Sequence, residues 1–249
     1  MFIFTFTSTL CLSVGSHNQK TKISFSEKKQ FLDLSLSTLK QKNFHASSVF
    51  VEHLILTNKY TNLISKNTEY NLYRKHFLDT LTLKTFFDCF ALKNAKILCL
   101  DIGTGSGFPG LMLSIILCDS FFLLVESIRK KSYFHKKMIQ FLSGNNSKAI
   151  SSRVETMGKI KNHREAYDFI TARAVSEIKP LLLFSAPLTK PNAIILMYKQ
   201  IWKINEEINE AQNQIYVNKK KIKAIFSVSS INKGRAILIF KKINISTNQ

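Results

Sequence analysis

The sequence predicts an α/β fold: a mainly parallel sheet with helices on both faces, preceded by a small helical cap. Three observations predict it. From residue 96 onward, short apolar runs alternate with helix-length segments, the pattern that buries a parallel sheet between helical layers. The first of those runs ends on a carboxylate, turns through glycines at alternate positions, and passes directly into an apolar helix. Ahead of residue 96 the apolar residues recur at helical spacing instead.

The cap reads as three helices. Over 28–40, Phe31, Leu32, Leu34, Leu36 and Leu39 supply a rough apolar face. A second helix covers 48–58, and in a third, 69–90, Leu72, His76, Leu83 and Phe87 recur at helical intervals. The first strand, 96–100, leads through the glycine turn to a helix at 111–117, and the second strand is 121–126. A basic helix, 128–142, precedes a third strand near 148–151. A fourth strand, 167–171, feeds a helix at 177–186, and a fifth, 193–198, feeds a long polar helix at 202–216. Strands at 224–228 and 235–241 close the chain, making seven in all. The expected division is an extension over 1–26, the cap over 27–93, the α/β domain over 94–242 and a tail over 243–249.

At 249 residues the chain is long enough to bury a core in one large domain. Lys and Arg number 36 against 16 Asp and Glu, a net charge of +20 that favours a polyanionic partner. The competing reading is compositional, because Lys, Asn, Ile and Phe are enriched together, as AT-rich coding produces. Cys11, Cys89, Cys99 and Cys118 show no C-x-x-C spacing, so neither a metal site nor a disulfide framework is expected. Cys99 and Cys118 read as buried small apolar residues in a reducing compartment. No apolar stretch reaches the roughly 18 residues of a membrane span. Residues 1–26 lack acidic residues and are rich in Ser and Thr, with an apolar run over 2–14. They read as a disordered bacterial extension or, alternatively, as an organelle targeting peptide.

The glycine turn limits the ligand. Gly105 to Gly110 matches the dinucleotide pattern G-x-G-x-x-G literally, and Glu126 lies near the distance expected of a ribose carboxylate. The tight turn leaving the strand begins at Gly103, however, and counting from there puts Phe108 in the third-glycine position. What remains is acid-x-Gly-x-Gly-x-Gly, Asp101 through Gly107, the pattern of S-adenosylmethionine-dependent methyltransferases. A cationic sulfonium tolerates a carboxylate at the strand end, whereas a pyrophosphate would be repelled by it.

Further blocks narrow the resemblance. Upstream stand Tyr60-Thr61-Asn62-Leu63 and Lys75-His76-Phe77-Leu78-Asp79-Thr80-Leu81. The glycine turn continues as Phe108-Pro109-Gly110. Downstream come Glu126-Ser127, then Arg129-Lys130-Lys131, Ser152-Arg153-Val154-Glu155 and Thr171-Ala172-Arg173-Ala174. In this order and spacing, residues 46–242 resemble the bacterial RsmG family, also called glucose-inhibited division protein B (GidB). Its members methylate N7 of a guanine in small-subunit (16S) rRNA.

The resemblance implies a class I methyltransferase with a Rossmann-like seven-stranded sheet, S-adenosylmethionine as cofactor, and small-subunit rRNA or the ribosomal subunit as partner. It further implies a monomer in the bacterial cytoplasm, or in a plastid or mitochondrion if 1–26 is a transit peptide. Alternatives are a methyltransferase of another RNA or a small molecule, and a non-catalytic RNA-binding module that kept the fold.

Gly103, Gly105 and Gly107 are expected to wrap the methionine part of the cofactor. Asp101 would orient that loop or meet the ammonium, and Glu126 would accept the ribose hydroxyls. By resemblance, Phe108 contacts the cofactor, Val154 and Glu155 lie along the adenine, and Arg173 reaches the site. Blander readings make Phe108 a helix-start residue, Glu155 a surface acid, and Arg173 an RNA contact or a partner of Glu177. Arg173 and His76 are the candidate catalytic residues, although a guanine N7 carries a free lone pair and needs no general base.

Lys75, where the family usually has arginine, is a candidate RNA clamp, weaker for lacking the bidentate fork. Ile64 stands where the family commonly has threonine. The basic helix, with Arg129, Lys130, Lys131, His135, Lys136 and Lys137 and with Tyr133 and Phe134 interleaved, is the main candidate for tracking an RNA backbone. A second is the lysine run at 219–223. Either run would otherwise be a solvated face.

Overall fold

A computed structural model describes residues 41–65, 68–69, 72, 76–90, 96–200, 202–203, 206–207, 216–217, 220–229 and 235–243. The expected extension over 1–26, the helix over 28–40, Lys75 and most of the helix over 202–216 lie outside the described residues, as do the side chains of 219–223.

Two cap helices come first, α1 (Gln41–Thr61) and α2 (Leu78–Phe90). Then follow β1 (Leu98–Ile102), α3 (Gly110–Ile116), β2 (Phe121–Glu126), α4 (Arg129–Phe141), β3 (Ser147–Ser151) and a single turn, α5 (Val154–Met157). The chain continues through β4 (Tyr167–Arg173), α6 (Ile178–Ser185), β5 (Thr189–Gln200), β6 (Tyr216–Val217), β7 (Lys220–Ser229) and β8 (Arg235–Ile243). The strands form one sheet in the order β3-β2-β1-β4-β5-β8-β7-β6. The first five pair in parallel, and β8, β7 and β6 add antiparallel at one edge.

The central strands are near-continuous apolar runs because both faces are covered. Leu100, Ile102, Leu123, Val125, Ile170 and Ala172 pack with Met157 and with Ile178, Leu181 and Leu182 of α6. The intervening residues point to the opposite face. There Phe87 of α2 meets Phe122 and Phe169, with ring centroids 6.2 and 4.6 Å away. α1 packs on α3 and α4, which ties the cap into the same core.

Several details depart from expectation. The two-residue strand β6 occupies the end of the segment expected to be helical, so the sheet has eight strands instead of seven. β1 runs on through Asp101 and β4 through Arg173, so both polar residues are held in strand geometry. Cys99 is buried as expected, but Cys118 is exposed, because α3 ends at Ile116 and the chain turns outward.

One contact ties the cap to the glycine turn. Phe50 of α1 is fully buried, 5.3 Å from the Phe108 ring and 6.4 Å from the Phe134 ring. A Cβ placed on Gly107 would come within 2.7 Å of Phe50 Cζ, so only glycine fits there. Phe50→Ala should therefore cost about 3–5 kcal/mol, read as a lower urea midpoint at unchanged slope.

Candidate cofactor and catalytic site

Asp101 is 1% exposed, and both of its carboxylate oxygens are engaged inside the protein. Oδ1 accepts from the Thr171 hydroxyl on β4 at 2.7 Å, and Oδ2 accepts from the Gly110 amide at the start of α3 at 3.1 Å. Any side chain at 110 would overlap that carboxylate. Burial pushes the Asp101 pKa up to about 6, against the downward pull of its hydrogen bonds and of the Arg173 guanidinium.

The turn between Asp101 and Gly110 hangs on β2. The amides of Gly103 and Thr104 donate to the Val125 carbonyl at 2.9 and 3.1 Å. Positive φ values of 65°, 59° and 94° at Gly103, Gly105 and Gly107 carry the chain around. Gly105 is held from both sides. Its amide donates to Glu126 Oε2 at 2.9 Å, and its carbonyl accepts from His135 Nε2 at 3.0 Å. The other Glu126 oxygen accepts from the Ile128 amide at 2.9 Å, so this buried carboxylate joins the loop to the start of α4. A Cβ on Gly105 would meet only the Gly103 carbonyl oxygen, at 3.5 Å. The loop therefore offers an open backbone face at the carboxyl ends of β1 and β2, where ligands bind in open α/β sheets. An adenosine-bearing cofactor fits this site: Glu126 has acceptor capacity for a ribose diol, and no described side chain fills the space over Gly105.

The remaining expected residues fall around this loop. Phe108 is buried between Phe50 and His76, whose ring centroid lies 5.4 Å away. Val154 packs into the core beneath α6, and Glu155 projects to solvent at the start of α5. The turn carrying them is joined to β2 by the Ser152 amide, which donates to the Glu126 carbonyl at 3.1 Å. Arg173 pairs with buried Asp79 of α2 at 3.5 Å and lies 5.6 Å over the Tyr198 ring. The Tyr198 hydroxyl donates to the Asp79 carbonyl. The carboxylate partner of Arg173 is thus Asp79, not the Glu177 one turn onward.

The basic helix divides between its two faces. Arg129, Lys130, Lys136 and Lys137 are exposed and Lys131 is half-buried. His135 and Phe134 do not join them; both are buried. Exposed aromatic surface comes instead from Tyr133 and Phe141, at 60% and 61%. His135 does not belong with the cations of the outer face: its spacing from Ser132 and Met138 marks the inner face of the helix. Phe50 and Tyr198 carry no sequence signal of their own, and Thr171 stands in a family block with no role attached, because each acts through a partner distant in the chain. Among the described residues, no group of His, Cys, Asp and Glu is placed to hold a metal, and no helix is long and apolar enough to cross a membrane.

The two buried ionisable groups have opposite linkage to pH. Asp101 moves up from 3.8 to about 6, so the folded chain holds that proton more tightly than the unfolded chain. Its contribution falls as pH rises from about 4 through 6. Burial moves His135 down from 6.5 to about 4, so stability is lost as pH falls through that window. Each shift corresponds to about 3 kcal/mol at roughly 1.4 kcal/mol per unit. Urea unfolding between pH 4 and 7 should show a parent flatter than either single variant. Asp101→Asn should lose stability toward pH 4, and His135→Gln should lose it toward pH 7. A variant that follows the parent's curve would show that its group does not titrate in this way.

Residues 43–236 match the family of rRNA small subunit methyltransferase G, GidB. The ribosomal RNA small subunit methyltransferase G of Desulforamulus reducens is 36% identical over 200 residues, covering 76% of this chain and 78% of that protein. The protein of the same name from Fusobacterium nucleatum subsp. nucleatum is 34% identical over 204 residues, covering 82% and 78%. The crystal structure of the CurJ carbon methyltransferase matches with a TM-score of 0.53 over 88% of this chain and 71% of that one. At 13% identity that likeness is one of fold. With a class I methyltransferase fold built around its glycine turn, the chain belongs to the rRNA small subunit methyltransferase G family and is an S-adenosylmethionine-dependent rRNA methyltransferase.

Proposed function

We propose that this protein transfers the methyl group of S-adenosylmethionine to N7 of a guanine in small-subunit rRNA, as a monomer in the bacterial cytoplasm. The observation that carries the site assignment is Gly105, anchored through both its amide and its carbonyl while its Cα faces open space. Gly103, Gly105 and Gly107 line the methionine part of the cofactor, with Asp101 fixing the loop from beneath. Glu126 takes the ribose hydroxyls, and the turn at Val154 and Glu155 borders the adenine. Phe108, buried between Phe50 and His76, keeps the wall of the site apolar.

When bound, the cofactor supplies an electrophilic methyl on a sulfonium sulfur. Guanine N7 attacks with its own lone pair, so the protein's part is alignment and exclusion of water. Arg173 orients the reacting base, held by Asp79 and the face of Tyr198, with His76 on the same cap segment. The cations Arg129, Lys130, Lys131, Lys136 and Lys137 of α4 track the RNA backbone, and Lys75 is a further RNA contact on the strength of the family resemblance.

Mass spectrometry of small-subunit rRNA from cells with and without the protein tests this reading. One N7-methylguanosine should disappear with the protein and return with the parent gene, but not with Gly105→Val. That variant should fold, since the strained backbone costs about 1–2 kcal/mol, yet should not bind S-adenosylhomocysteine. An unchanged rRNA would overturn the substrate assignment.

Replacing Lys130, Lys136 and Lys137 together with Lys131 should weaken RNA binding across sequences. The slope of log affinity on log salt should drop by roughly 0.7–0.9 for each phosphate contact removed. Arg173→Ala should instead lower turnover by about 100-fold, as misplacement of a reacting group does, with RNA affinity held. An unchanged salt slope would make the helix a solvated face, and normal turnover in Arg173→Ala would make that residue structural.

A further inference from the structure

His135 is fully buried on the inner face of α4, and its Nε2 lies 3.0 Å from the Gly105 carbonyl oxygen. A carbonyl only accepts, so the ring must donate from Nε2. Burial, opposed in part by the hydrogen bond to Gly105 and by Glu126 and reinforced by Lys131, pushes the His135 pKa down to about 4, which keeps the ring neutral near pH 7. The proton is therefore on Nε2, and Nδ1, buried with no hydrogen-bond partner among the described residues, carries the lone pair. Holding one tautomer in this way costs the protein an unsatisfied polar atom. A leucine would fill the same helix face without that cost, so the hydrogen bond needs an explanation beyond packing.

The explanation lies on the other side of Gly105. Its amide is held by Glu126 at 2.9 Å, and its φ of 59° leaves the residue no side chain by which to anchor itself. With both peptide groups held, the Cα of Gly105 faces open space among the described residues. Released from His135, the half-buried carbonyl would lose the donor that the ring gives it, and the peptide it shares with Ser106 would be free to turn. That turn changes ψ at Gly105, and the loop then loses the backbone course in which the neighbouring peptide presents the Gly105 amide to Glu126, the carboxylate assigned to the ribose.

We propose that His135 is a positioning residue for the cofactor: its Nε2–H locks the Gly105 peptide so that the loop and Glu126 are set before the ligand arrives. The proposal rests on the cofactor assignment above and is tested without RNA. Calorimetric titration with S-adenosylhomocysteine should show affinity at least about tenfold weaker for His135→Leu than for the parent. His135→Gln, whose amide nitrogen reaches the place of Nε2, should bind within about threefold of the parent. His135→Asn, too short to reach Gly105, should behave like His135→Leu, which keeps the comparison between two polar side chains if the leucine variant fails to fold. In steady-state methylation, KM for S-adenosylmethionine should rise in the weak variants while kcat at saturating cofactor is retained. Equal affinity in parent, Asn and Gln variants would overturn the clamp, as would equal losses in Asn and Gln. A parent that does not itself bind S-adenosylhomocysteine would instead overturn the cofactor assignment.

Discussion

The carboxylate of Asp101 is where β1, β4 and α3 meet, and its burial constrains everything built above it. Two hydrogen bonds, from Thr171 and from the Gly110 amide, satisfy its oxygens and fix the distance between strand end and helix start. The chain must then leave β1 at Ile102 and return to Gly110 through a turn hung on Val125. That closure demands positive φ at three residues and excludes a side chain at 110, where the Asp101 carboxylate already sits. The glycines are thus partly a consequence of a buried charge. An unpaired carboxylate in that position would be prohibitive, so the loop and the charge stabilise one another.

A second layer acts on the same loop from outside β1. Glu126 at the end of β2, itself braced by the Ile128 amide, Phe50 from the cap and His135 from α4 each hold one part of it. The two faces of α4 therefore do different work. The inner face packs and clamps, and the outer face carries cations. Those cations are badly placed for the helix itself: Arg129, Lys130 and Lys131 occupy a first turn that contains no acid. Positive charge at a helix N-terminus opposes the macrodipole, by about 0.3–1 kcal/mol per group at exposed positions. Helix stability does not account for them, whereas a polyanion lying across that end would.

Much of this was legible in the sequence because parallel strands buried on both faces read as bare apolar runs. The runs at 121–126 and 167–171 emerge in the right order and nearly the right length, and the acid-to-glycine turn declares itself by spacing alone. What was not legible depended on partners far apart in the chain. Arg173 has an acid one turn away at Glu177, and local spacing favours it over Asp79, which reaches the same guanidinium from α2. His135 sits in a run of cations and reads as one of them until the inner face of α4 is traced through Ser132 and Met138. Strand β6 is two residues long, too short for any period to register. The apolar neighbours of Cys118 predict burial, but its exposure follows from where α3 stops.

The chemistry of the site follows the same economy of groups. Reactions that move a proton need an ionisable side chain with a lone pair or proton free to exchange, at a pKa near the working pH. Asp101 has such a pKa, yet both of its oxygens face backbone and Thr171, away from the open side of the loop. His135 is neutral and spends its only N–H on Gly105. Glu126 has its carboxylate between two backbone amides. Three ionisable groups within reach of one loop are all used to hold peptide units in place. That is the arrangement expected when the nucleophile brings its own lone pair and the barrier yields to alignment. A methyl acceptor that had to lose a proton before attack would need one of these groups released from the backbone, and the loop that depends on it would lose its shape.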